Sequence, residues 1–258
     1  MRDNLGLPDT FYFTQHSLAT FEACPLKFRK RYIEGIKWKS RSDVNMTEQL
    51  GLGVDFHLLA RRYFLGIDDI TGIGNIPRVK LHTWVENLKK TFELNKGYRY
   101  LPEYKLRLNN GTLRLEANYD LVIIKDDCLE IWDWKTGTNA PGTEKRVRDY
   151  GKTLQTMVYM YILREKAGIV YGARDMYKKL GMYYWNPDPP GIAAKIPYDD
   201  YRHKSFGDSL QKRVDSILNY DYSGFDRSGY IKSCRYCEYN FICYNSKAGF
   251  TIQKETRL

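Results

Sequence analysis

Between Tyr100 and Lys135 the apolar residues alternate with polar ones, and two short polar breaks interrupt them. "YLPEYKLRL", the turn "NNG", "TLRLEANYDLVIIK", the turn "DD" and "CLEIWDWK" read as three antiparallel strands joined by hairpins. Side chains alternate faces along a strand, so Asp133 and Lys135 share one face. If Asp126 and Asp127 make a two-residue turn, Lys125 faces Cys128 and Asp120 comes opposite Asp133. A three-residue turn sets Asp120 opposite Trp132 instead and leaves the two acids as diagonal neighbours. Like charges directly opposed in a sheet are destabilising. A divalent cation between them removes the repulsion, and hard carboxylate oxygens suit Mg²⁺ or Mn²⁺. An ammonium beside such a site can orient water and stabilise charge building on a phosphate. By itself an acid-x-lysine triplet is weak: "EYK" at Glu103 to Lys105 repeats it, and an isolated example is more often a solvated strand face.

The rest of the chain supplies helices to cover that sheet. "SLATFEACPLKFRKRYIEGI" reads as a helix capped by Ser17 and broken near Cys24 by Pro25. A second helix is expected from about Glu48 to Phe64 and a third from about Arg78 to Leu94. After the meander, "RVRDYGKTLQTMVYMYILREKAG" reads as one amphipathic helix, "KLGMYYW" as a strand, and the segment from about Asp199 to Asn219 as a last helix. "GIGNIP" and "NPDPPG" read as loops. Helices, meander, helix, strand and helix make an α+β or α/β domain, a mixed sheet flanked by helices. A 43% hydrophobic chain of 258 residues suffices for a single domain spanning 1–258.

Lys and Arg number 41 against 31 Asp and Glu, a formal charge of +10 that favours a polyanionic partner such as nucleic acid. No apolar run reaches the roughly 20 residues of a membrane helix, and the first residues do not read as a secretion signal. We therefore expect a soluble, cytoplasmic protein with no membrane partner. Three of the five cysteines, Cys234, Cys237 and Cys243, follow C-x₂-C-x₅-C, a metal-ligand spacing that needs a fourth ligand. Cys128, beside the predicted turn, reads as a bystander.

"NYD" at 118–120, "WDWK" at 132–135, "QTMVY" at 155–159 and, upstream, "GVDFH" at 53–57 occur in an order that resembles the metal-dependent PD-(D/E)XK nuclease superfamily, in particular its RecB-type branch. The resemblance implies a restriction-endonuclease-like core. It implies that Asp120, Asp133, His57 and the backbone carbonyl of Trp134 hold Mg²⁺ or Mn²⁺, that Lys135 activates water, and that Gln155 and Tyr159 position the nucleic-acid strand or support Lys135. Glu103 sits where such nucleases often carry an acid on the preceding strand, behind the ligands. One departure is Ala117, where the branch usually has Gly three residues before the metal-binding Asp.

Cys24 in "ACPLKF", together with the C-terminal trio, resembles the iron-sulfur nucleases of the AddB-type helicase-nucleases and the CRISPR-adaptation exonucleases. That resemblance implies a 4Fe-4S cluster on Cys24, Cys234, Cys237 and Cys243, in a module built from about 15–35 and 225–250; four thiolates also suit zinc. Joining residue 24 to residue 234 closes a loop of about 210 residues, which constrains the unfolded chain by about 5 kcal/mol. The expected activity is that of a Mg²⁺- or Mn²⁺-dependent deoxyribonuclease in DNA repair or recombination, an exonuclease favouring single-stranded DNA, with a helicase or CRISPR integrase as partner. The alternative is a non-catalytic DNA-binding or scaffolding subunit of such a complex.

Overall fold

The computed structural model describes residues 7–8, 10–37, 47–67, 78–137, 144–171, 179–226, 228–230, 234 and 237–245. The meander forms as three strands, β1 (Arg99–Asn110), β2 (Leu113–Ile124) and β3 (Cys128–Trp134). Gly111 turns the first hairpin at φ +61, a left-handed conformation that glycine adopts without steric cost. Asp126 and Asp127 turn the second, with Lys125 N donating to Cys128 O at 2.9 Å, so the two-residue turn is the one formed.

β4 (Lys179–Pro187) lies parallel to β3, and β5 (Pro190–Pro197) returns antiparallel beside it, giving a five-stranded mixed sheet in the order β1-β2-β3-β4-β5. β5 was not anticipated: "NPDPPG", read as a loop, supplies the turn and the start of a hairpin. Pro190 and Pro197 sit at its ends on the edge of the sheet, where a missing N–H costs no ladder bond. Phe13 adds an isolated parallel bridge to Leu115, on the stretch of β2 that β3 does not reach.

The helices are α1 (Gln15–Ala23), α2 (Pro25–Phe28), α3 (Thr47–Phe64), α4 (Arg78–Thr91), α5 (Glu144–Gly151), α6 (Leu154–Glu165), α7 (Ala167–Tyr171), α8 (Asp200–Leu218) and α9 (Asn240–Asn245). α1 begins one turn before the expected cap: Thr14 accepts from Ser17 N, and Ser17 closes the capping box at the third helical position. Cys24 is extended, Pro25 opens α2, and a π-helical turn follows over Arg29–Ile33. The long helix expected from 146 is two helices. Gly151 is a poor helix former, and Thr153 turns extended and caps α6 by accepting from Thr156 N.

Two cores cover the two faces of the sheet. Leu129, Ile131, Met182 and Tyr184 pack with Val158, Ile162, Leu210 and Val214 of α6 and α8. Trp132, Trp134 and Trp185 pack on the other side with Phe56, Leu59, Trp84 and Leu88 of α3 and α4. In β2 the alternation exchanges sides part-way: Leu115, Ala117 and Tyr119 belong to the first core, Leu121 and Ile123 to the second, and Val122 and Ile124 to the first again. β1 does the same, with Leu106 and Tyr104 on the first side and Tyr100 on the second. The exchange falls at Glu103 and Asp120, the two positions without a ladder partner between Pro102↔Leu121 and Tyr104↔Tyr119. Glu103 has φ +50, a left-handed backbone that costs a non-glycine residue about 1–2 kcal/mol.

Candidate active site

Beyond Leu121↔Trp132 the β2–β3 ladder ends, and the two strands diverge into a fork. The Asp120 carboxylate fills its mouth, its Oδ2 accepting from Trp134 N at 2.8 Å in place of the lost ladder bond. Asp120 Oδ1 lies 3.3 Å from His57 Nδ1, and Glu103 Oε1 lies 3.8 Å from the same nitrogen. These three residues each offer a ligand atom within 4.8 Å of the others, the one such group of three or more His, Cys, Asp or Glu among the described residues. Glu103, expected behind the ligands, lies in this group, whose atoms could hold an ion. Counting back from the "NNG" turn as from the "DD" turn would have placed it opposite Asp120.

His57 comes from α3, which lies close against the end of β3. A Cβ on Gly53 would come 2.9 Å from Thr136 Oγ1, so the glycine one turn before His57 is what lets the helix approach. Burial opposes charging His57, but the Asp120 and Glu103 carboxylates outweigh it and the imidazole is pushed up to about 10. In the metal-free chain His57 is a cation that partly offsets the two acids.

Asp133, 3% exposed, lies on the other side of the fork. Lys135 Nζ is 2.5 Å from its Oδ2, and Gln155 Nε2 donates to its Oδ1. Gln155 Oε1 also accepts from Lys135 Nζ at 3.0 Å, so one amide holds both members of the acid-x-lysine pair. The break before α6 makes this possible by placing Gln155 in the first turn of that helix, directed at the end of β3. Burial first, and then the neighbouring Asp120 charge, push the Asp133 carboxyl upward against the opposing pull of Lys135 and His57.

Tyr159 occupies a different place from Gln155. Its hydroxyl donates to Asn118 O at 2.6 Å, while Tyr119 OH donates to Tyr159 O at 2.9 Å. The two rings meet edge-on at 4.9 Å. Tyr159 thus clasps β2 two residues before Asp120 and is itself buried. Ala117 is buried in the core that α6 covers, where its methyl is accommodated.

A family model of the PD-(D/E)XK nuclease superfamily matches residues 12–87 and 73–244, most of the chain. The chain belongs to this superfamily. No curated protein matches it. Among solved structures it is similar to a Eubacterium rectale protein titled "Putative exonuclease", at 13% identity and TM-score 0.50 over 95% of this chain and 91% of that one. It is also similar to a structure titled SSO0001, at 15% identity and TM-score 0.40 over 95% and 90%. At 13% identity the first of these likenesses speaks to the fold alone.

The cysteines divide as their spacing divides them. Cys24, Cys234, Cys237 and Cys243 line one cavity, whose wall also includes Lys27, Phe225 and Asn240. No three of these sulfurs lie within 4.8 Å of one another. Cys128 stands apart at the β2–β3 turn, its thiol 4.0 Å from Glu130 Oε1. The C-terminal segment is tied to the N-terminal one by Glu238, which pairs with Lys27 at 2.9 Å and with Arg31, and by Tyr239, whose hydroxyl donates to Ile36 O at 2.7 Å. Among the described residues no helix is long and apolar enough to cross a membrane.

Proposed function

We propose that the chain is a Mg²⁺- or Mn²⁺-dependent deoxyribonuclease of the RecB-type branch, an exonuclease acting on single-stranded DNA. The observation that carries the reading is the pairing, in one fork, of a His57–Glu103–Asp120 ligand group with an Asp133–Lys135–Gln155 triad. The donor set, one imidazole and carboxylate oxygens, suits Mg²⁺ or Mn²⁺. Asp133 Oδ2 is buried on the other arm of the fork, where it faces Lys135 Nζ at 2.5 Å.

His57, Glu103 and Asp120 would hold the ion, with Asp133 Oδ2 and the Trp134 carbonyl completing its protein ligands. A bound divalent ion supplies polarisation of the scissile phosphate and a more acidic water. Asp120 is fixed for this by Trp134 N and, through Asn118, by Tyr159. Gln155 holds the Lys135 ammonium over the fork, where it orients the attacking water and offsets charge on the phosphate. The +10 formal charge supports binding of the polyanionic substrate.

We further propose that Cys24, Cys234, Cys237 and Cys243 hold a 4Fe-4S cluster in a structural module within the single nuclease domain. The support is a shared cavity lined by all four thiols, together with the C-x₂-C-x₅-C spacing of the last three.

The deciding experiment is Lys135→Ala assayed on end-labelled single-stranded DNA with Mn²⁺. Cleavage should fall by about 10²–10³-fold, the scale for losing one electrostatic donor. Undiminished cleavage would remove the assigned mechanism.

A further inference from the structure

We infer that Tyr184 is a positioning residue for the reaction, the floor that sets where the Lys135 ammonium stands; this rests on the reading of Lys135 just given. Tyr184 is the β4 residue paired with Asp133 across the parallel β3–β4 ladder, so both side chains rise from the same face of the sheet. The Lys135 ammonium lies 5.0 Å from the centroid of its ring, within cation–π range. Lys135 is thereby held on three sides, by the Asp133 carboxylate, the Gln155 amide oxygen and the Tyr184 face.

The ring is itself fixed from behind. Its hydroxyl shares a 2.7 Å hydrogen bond with Thr156 Oγ1, and Thr153 Oγ1 is 3.5 Å away. Thr156 Oγ1 also bonds Tyr150 O at 2.6 Å, and the Tyr150 ring stacks on Tyr184 at 4.2 Å. Thr153 is the cap of α6 and Thr156 lies in its first turn, on either side of Gln155. Tyr184 therefore presents its ring face under the ammonium, while its hydroxyl braces the end of α6 and so contributes to stability. A flexible four-carbon stem needs such constraint, because Lys loses more rotamer freedom on being ordered than most side chains.

The ring and the hydroxyl can be tested apart. Tyr184→Leu keeps apolar volume and removes the π face; kcat on single-stranded DNA with Mn²⁺ should fall about tenfold, with KM and calorimetric Mn²⁺ affinity within twofold of the parent. Tyr184→Phe keeps the face and loses the bond to Thr156; its melting temperature should drop while kcat returns to within about threefold. A purely structural role predicts the reverse, the rate following the melting temperature in both variants. Undiminished kcat in Tyr184→Leu, or equal loss of kcat in Tyr184→Phe, overturns the inference. Lys135→Ala run alongside separates the two levels: if it is fully active, the assignment of Lys135 has failed, and if it is inactive while Tyr184→Leu is not, only the role of Tyr184 has.

Discussion

The fork and the cysteine cavity are both corners rich in metal-ligating side chains, and they are built in opposite ways. Apart from His57, the fork is assembled from residues that lie between Glu103 and Tyr159; the ladders set its strands, and the Tyr159–Asn118 bond ties α6 to β2. The cysteine cavity joins segments more than 200 residues apart, and among the described residues Glu238 and Tyr239 bond across it. A site placed by a sheet is rigid before any ligand arrives. One placed by the two ends of a chain depends on whatever cross-links them.

The sharpest way to break that comparison is a pair of substitutions read in two assays. Lys135→Ala should cost cleavage by about 10²–10³-fold and leave melting temperature within a degree or two. Cys24→Ala should do the reverse, losing iron, colour and solubility while the folded fraction still cleaves. If Cys24→Ala loses rate in proportion to its iron yet keeps its melting temperature, the two corners are not independent.

Next in size is Glu238→Gln. The Glu238 side chain is 4% exposed between Lys27 and Arg31, and removing its charge leaves two cations without their partner, a cost of about 1–3 kcal/mol in chemical denaturation. These partners hold its carboxyl below the usual glutamate range against the opposing effect of burial. The associated stability is therefore present above the unfolded pKa of about 4.5 and is lost as pH falls through the depressed folded value. An acid-unfolding midpoint unchanged by Glu238→Gln would show that this tie contributes nothing.

The fork should answer to pH in the opposite sense. His57 is raised from 6.5 to about 10, so its contribution to the metal-free fold is complete below about 6.5 and disappears as pH rises toward 10. A histidine that ligates must be neutral, so Mn²⁺ uptake at pH 7 should expel about one proton. Calorimetry in buffers of different ionisation enthalpy reads this directly. Zero release would show that His57 does not give up a proton to the ion at pH 7.

The smallest effect concerns Gly53. Alanine in a helix interior is worth about 1 kcal/mol over glycine, but here its Cβ would meet Thr136 Oγ1 at 2.9 Å. Gly53→Ala should weaken Mn²⁺ binding by moving His57 while changing stability little. Adding Thr136→Ala removes the obstructing oxygen and should restore binding, with a stability gain of about 1 kcal/mol. Additivity in that cycle would mean that the contact does not set the helix position.

The meander was legible in advance because alternation and tight turns are local signals, and the "DD" turn fixed the register that set Trp132 against Leu121. The split at Thr153 was hidden, since Leu154 to Leu163 and Val147 continue one apolar stripe and only Gly151 and a capping threonine mark the break. β5 was missed because prolines at both ends disguise an edge strand as loop. Glu103 was set behind the ligands by the resemblance, although counting back from the "NNG" turn puts it opposite Asp120. A backbone that exchanges faces at a single residue leaves no trace in periodicity.

That exchange of faces leaves Glu103 and Asp120 on a seam, belonging to neither interior. Drift in the packing of the first layer therefore reaches the two acids through a backbone tie, the bond from Tyr159 to Asn118, rather than through side chains of their own.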